Sequence, residues 1–206
     1  MRNMFVRLAI VGASAAIASA TPALAKEGAS AATAVSLAEA ATALTPGKYL
    51  WEDDDTLGPV TVLISLPDQR AYVYRGQTLV AVSAVSTGKE GKETPVGVFN
   101  ILQKKVMNHS NLYENAPMPF MQRLTWDGIA IHAGRNPGFP ASHGCIRVPT
   151  EFAKKLYAAT EMGATVEVTD IAYMEGTAAP MSDAEMTAKA NATASGDSLG
   201  AFLASR

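Results

Sequence analysis

Three side chains in the second half of the chain have types and spacing that could do chemistry: His132, His143 and Cys145. Cys145 is the single cysteine of the sequence and stands in PASHGCIRVP, residues 140–149. A thiolate is a strong nucleophile, and an imidazole within hydrogen-bond reach can take the thiol proton. Two histidines compete for that task. His143 is separated from Cys145 by Gly144 alone, so in an extended strand the two side chains share a face but miss a favoured hydrogen-bond pose. His132 ends the run IAIH (129–132), whose alternation sets Ile129 and Ile131 on one face and His132 on the other. The loop 133–142 can return Cys145 alongside it, which favours His132 as the base. Gly144 allows unusual backbone angles and close approach. The amides of His143, Gly144 and Cys145 are then candidate donors to a developing oxyanion. Arg147 can share the face of Cys145 and bind a carboxylate through its fork of donors, or it is an ordinary surface arginine.

Plainer readings compete with each of these. A lone cysteine is often a small buried hydrophobe. His132, His143 and Cys145 with a water would also make a zinc-like set, but no C-x-x-C or H-x-x-x-H spacing accompanies them. Trp126, Tyr113, Phe120, Met118 and Met121 either line a cleft or simply pack. His109, beside Asn108 and Ser110, reads as a solvated loop histidine.

The N-terminus changes the weight of the cysteine. Arg2 and Arg7 precede an apolar run, Leu8 to Ala20, that is too short to span a bilayer comfortably. Ala23-Leu24-Ala25 is an A-x-A cleavage pattern, so residues 1–25 read as a signal peptide. Export implies an oxidising compartment in which cysteines pair, yet Cys145 has no partner within its chain. A leftover thiol of that kind points to reactivity or to an intermolecular bond. The expected location is therefore periplasmic or otherwise exported, with no membrane association after cleavage. Losing Arg2 and Arg7 takes the net charge from −2 to −4, and with no basic patch nucleic acid is not an expected partner.

The elements that must position these residues are mostly strands. Residues 26–56 are Ala-rich and then acidic, and read as an N-terminal extension or tether with a short helix over 36–44. Strands are expected at 60–66, 70–75, 78–88, 98–105, 129–132 and 164–170, the first three as a meander joined by hairpin-length turns. The long polar and aromatic segment 106–128 is the kind of loop that covers a cleft. A helix is expected over 151–162, with Thr150 as its N-cap and Gly163 as its stop. Residues 171–206 are poor in large apolar side chains and read as a disordered tail. The sum is a mainly β domain over 57–170, a sandwich or barrel with one late helix.

The motif IHAG…SHGCIRVP (His132, Ser142, His143, Gly144, Cys145, Ile146, Arg147) resembles the active-site signature of the L,D-transpeptidases, the YkuD-like family of peptidoglycan cross-linking enzymes. The resemblance extends over VTVLISLPDQRAYVYRGQTLVAVSAVSTGK (60–89) and TPVGVFNIL (94–102). Nine residues separate His132 from Ser142, fewer than is usual in the family, and Ala133 stands where some members carry serine. Neither departure removes a reacting group, because a backbone carbonyl at 133 can still orient the imidazole. The resemblance implies that Cys145 attacks the diaminopimelate carbonyl of a peptidoglycan tetrapeptide stem, expels the terminal D-Ala, and forms a thioester. A second stem resolving it gives a 3-3 cross-link, a wall-anchored protein gives anchoring, and water gives L,D-carboxypeptidase activity. His132 would be the base, the amides around His143, Gly144 and Cys145 the oxyanion hole, and Arg147 would help hold the substrate; Ser142, Trp126 and Met121 are the further substrate-site candidates read from the residues themselves. No metal or organic cofactor is implied. A wall-binding module that keeps the fold without the catalysis is the reading from another class.

Overall fold

The computed structural model describes residues 37–53, 58–111, 113, 115–174 and 179–181. The expected signal peptide, residues 1–25, lies outside the described residues, as does most of the tail. The described chain is mainly β with a helix late in the sequence. Its strands are β1 (Tyr49–Trp51), β2 (Val60–Ser65), β3 (Arg70–Arg75), β4 (Thr78–Ala84), β5 (Gly97–Asn100), β6 (Gln103–Lys105), β7 (Met121–Arg123), β8 (Ala130–Ala133), β9 (Ile146–Val148) and β10 (Thr165–Thr169). One sheet has six strands in the order β1-β4-β3-β2-β10-β5, and the other has four in the order β6-β7-β8-β9.

The meander β2-β3-β4 is antiparallel throughout, as short turns require. Between β3 and β4 the register slips at Val73/Tyr74, so Val80 becomes the extra residue of a bulge. Val80 and Ala81 consequently both join the central core although they are adjacent in sequence. That core is filled from the six-stranded sheet by Val62, Ile64 and Val73, and from the four-stranded sheet by Ile131, Ile146 and Val148. The helix Thr150–Ala159 adds Phe152, Ala153 and Leu156 to it. Tyr49 and Trp51 close on Phe152 with ring centroids 5.8 and 5.5 Å away.

The helix limits differ from those expected. Pro149 takes the N-cap position and makes no side-chain cap, and Thr150 is already helical. The helix stops at Ala159, ahead of Gly163, because Thr160 is extended and buried. The Thr160 hydroxyl is engaged with Leu156 O and with Gln122 Oε1. The Lys104 ammonium caps the helix end by donating to the carbonyls of Tyr157 and Thr160, each at 2.6 Å.

Residues 37–53, within the expected N-terminal extension, pack on the sheet. Residues 37–42 are helical, β1 pairs with β4, and Leu37 and Ala41 are each 1% exposed. They cover Leu63, Tyr72, Tyr74 and Val82 on the outer face of the six-stranded sheet. The start of the expected tail is also placed: Tyr173 stacks on Tyr72 at 4.0 Å, its N–H donates to Asp68, and Ala179 is buried in the same cluster. The outer sheet face is apolar and needs cover, which these residues on either side of 57–170 supply.

Candidate active site

The site forms where β8 and β9 run side by side. Their parallel register sets Ile131 beside Ile146 and His132 beside Arg147. Alternation sends the isoleucines into the core, so His132 and Arg147 emerge on the opposite face. Cys145 immediately precedes β9, two residues before Arg147, and falls on that same face. His132, Ser142, His143, Cys145 and Arg147 accordingly line one cleft of about 1100 Å³. The opposite wall comes from the segment expected to cover a cleft, through Ser110, Tyr113, Pro117 and Met118.

His132 is 8% exposed, and its Nδ1 lies 2.8 Å from the Ala133 carbonyl. A carbonyl only accepts, so Nδ1 carries the hydrogen and Nε2 keeps the basic lone pair. Burial pushes the imidazole below its ordinary range, against the Ala133 carbonyl, while the Arg147 guanidinium pushes it the same way as burial. Burial likewise pushes the Cys145 thiol up, opposed by the Ala130 amide and by the charges of Arg147 and Arg123. The thiol donates to the Gly128 carbonyl at 3.4 Å. Both shifts favour an uncharged thiol and a neutral imidazole at rest, rather than a standing thiolate and imidazolium.

The residues around the thiol are held by a short set of hydrogen bonds. The Ser142 hydroxyl donates to the Cys145 carbonyl at 2.6 Å and accepts the Gly144 N–H at 3.0 Å. Ser142 is 1% exposed, so its hydroxyl belongs to the loop rather than to a substrate. The Gly144 amide is thereby removed from the expected oxyanion donors. The Gly144 carbonyl accepts the Thr94 hydroxyl at 2.8 Å, and the Ser142 carbonyl accepts the Lys89 N–H at 3.1 Å. The N–H groups of His143 and Cys145 have no partner among the described residues. Gly144 has φ +113°, a conformation that favours glycine, and a Cβ there would stand 2.6 Å from Ile129 Cδ1, the movable end of its side chain. The His143 ring stacks on Tyr113 at 4.3 Å with the planes 15° apart. The Arg147 stem crosses Gly134, where a Cβ would meet it at 3.1 Å, and its Nη2 donates to the Ala141 carbonyl.

The sequence model of the L,D-transpeptidase catalytic domain, YkuD, matches residues 59–168. The chain belongs to the L,D-transpeptidase catalytic domain family. Among solved structures it is similar to an L,D-transpeptidase from Stackebrandtia nassauensis, with 26% identity and TM-score 0.50 over 61% of this chain and 63% of that one. It shares its fold with an L,D-transpeptidase from Mycobacterium tuberculosis H37Rv, with 22% identity and TM-score 0.50 over 53% and 57% of the two chains. The fold is also that of LD transpeptidase LdtMt1 in complex with imipenem, with 21% identity and TM-score 0.50 over 53% and 58%. The chain spans less than two thirds of each of these structures. No curated protein matches the sequence.

Within this L,D-transpeptidase domain two of the expected substrate residues stand apart from the main cleft. Met121 is fully buried in β7, under Cys145 together with Met118 and Ala130, because β7 is an interior strand of its sheet. Met118 does both of the things open to it, packing beside Met121 and Ala130 and lining the cleft wall. Trp126 is 73% exposed and lines a second, smaller cleft of about 380 Å³. That cleft also reaches Ser110, Tyr113, Met118, His143 and Cys145, so the thiol is bordered from two sides. Among the described residues no group of three His, Cys, Asp or Glu side chains is placed to hold a metal ion. The residue that sequence reasoning missed is Thr94. It lies 50 positions before Gly144, and nothing in TPVG announces that its hydroxyl ends in the loop of the thiol.

Proposed function

We propose that the protein is an exported L,D-transpeptidase of the cell wall, with Cys145 as nucleophile and His132 as base. The observation that carries this reading is the presence of Cys145 and His132 on one cleft face, in a chain of this family. In the proposed reaction the Cys145 sulfur attacks the diaminopimelate carbonyl of a tetrapeptide stem. His132 Nε2 takes the thiol proton as the S–C bond forms. The unpartnered amides of His143 and Cys145 receive the oxyanion. The bond to the terminal D-Ala then breaks, and the proton passes from His132 to the leaving amine. Arg147, with one bond to Ala141, keeps donors for a stem carboxylate.

The amine of a second stem resolves the thioester and gives a 3-3 cross-link. A nucleophile bordered by two clefts suits two substrates that arrive in turn, which favours an amine acceptor over water. A protein amine in the second cleft would instead anchor that protein to the wall.

Two measurements test this. Incubated with imipenem, the folded protein is expected to gain one covalent adduct on Cys145 by mass spectrometry, and Cys145→Ser none. A folded wild-type protein that gains no adduct under reducing conditions would overturn the catalytic reading in favour of a wall-binding module. Incubated with tetrapeptide stems, the enzyme is expected to yield cross-linked dimers; tripeptides alone would mean hydrolysis.

A further inference from the structure

Thr94 lies in the loop 88–96, far in sequence from every reacting group, and is 3% exposed. Its hydroxyl uses both of its capacities across two loops: it accepts the Gly88 N–H at 2.9 Å and donates to the Gly144 carbonyl at 2.8 Å. The backbone there is tight, since a Cβ on Gly88 would stand 2.0 Å from Lys92 O. The donor that holds the Gly144 carbonyl is therefore itself fixed in place.

The Gly144 carbonyl and the Cys145 N–H belong to one peptide unit. A trans peptide is planar, and its C=O and N–H point in opposite directions. A bond that fixes the carbonyl on one side fixes the aim of the N–H on the other. The Cys145 N–H has no partner among the described residues, which leaves it available as a donor. The neighbouring unit repeats the arrangement: its Ser142 carbonyl is held by the Lys89 N–H, and its His143 N–H is left without a partner.

We infer that Thr94 is a positioning residue that aims the Cys145 amide at the oxyanion formed when the thiol attacks a carbonyl. The inference rests on the proposed reaction and deepens it. Thr94 touches no substrate and acts through the Gly144–Cys145 peptide.

The test compares two reactions of the same thiol. Acylation by imipenem forms a sulfur–carbon bond at the lactam carbonyl and breaks the lactam C–N bond through an oxyanion. Alkylation by iodoacetamide displaces iodide at a saturated carbon and forms none. In Thr94→Val, which keeps the shape and loses the hydroxyl, acylation is expected to slow at least tenfold while alkylation stays within about twofold of wild type, the loss expected when an oxyanion donor is misaimed. Thr94→Ser, which keeps the hydroxyl, is expected to restore acylation. Thr94→Ala serves where the valine variant loses cooperative melting. An acylation-to-alkylation ratio that stays at the wild-type value in the valine and alanine variants overturns the inference, as does one that falls equally in the serine variant. A wild-type protein that imipenem does not acylate would instead overturn the proposed function.

Discussion

At the scale of single residues, the protonation of Cys145 and His132 is the feature with the most direct consequence. Burial pushes the Cys145 thiol up and the His132 imidazole down, so both groups of the cleft are held toward their neutral forms. In the proposed reaction the proton therefore moves as the sulfur attacks, with His132 as the base of that step. The sign gives a measurable outcome. The thiolate forms only above the ordinary cysteine range, so alkylation by iodoacetamide is expected to rise with pH and to show no plateau between about pH 5 and 8. A plateau in that window would report a standing thiolate–imidazolium pair and count against the neutral one. That Cys145, His132 and Arg147 share one cleft was legible in the sequence, because alternation in IAIH and the spacing of SHGCIR assign each a face. The Ser142 hydroxyl and the Gly144 amide were assigned to substrate and oxyanion, yet they bond to the loop itself. Hydrogen bonds that close within a few residues carry no periodic signal.

At the scale of elements, the loop before β9 depends on Gly144. Its φ of +113° is a conformation that L side chains rarely adopt, with a cost of about 1–3 kcal/mol. The Ile129 methyl that a Cβ would meet is the end of a flexible side chain and can move, so backbone strain is the larger part. Gly144→Ala is expected to lower stability by about 2 kcal/mol and to slow imipenem acylation at least tenfold, read by thermal melting and mass spectrometry. An alanine variant that melts and acylates like wild type would show that the loop does not need this conformation. Strands β2 and β3 were legible to within a residue at each end because they are long and rich in β-branched or aromatic side chains. The single strand expected at 98–105 is two. β5 pairs with β10 in the larger sheet, and β6 pairs with β7 in the smaller, so the chain turns a corner at Ile101–Leu102 without Gly or Pro to mark it. β1, β7 and β9 are three residues each, too short for alternation to register.

At the scale of the whole molecule, the strands β2, β3 and β4 of the six-stranded sheet are buried on both faces. Every residue of β2 is buried, with Val62 and Ile64 toward the central core and Leu63 toward the outer cluster. This explains why VTVLIS alternates so weakly in sequence. The cover on the outer face comes from residues 37–44 and from Tyr173 and Ala179, which composition alone assigned to flanks. Leu37→Ala is expected to cost about 2 kcal/mol and lower the melting temperature by roughly 4–8 °C. A change below about 1 °C would mean that the segment is not part of the cooperative unit.

For the proposed exported enzyme, the bond from Cys145 to the Gly128 carbonyl bears on how long the thiol survives oxidation. Peroxide and mixed disulfides attack thiolates, and a sulfur carried past sulfenic acid is not recovered. A buried sulfur that keeps its hydrogen until a substrate arrives presents little of the vulnerable form. The same arrangement that makes the resting sulfur a poor nucleophile thus lets it age slowly.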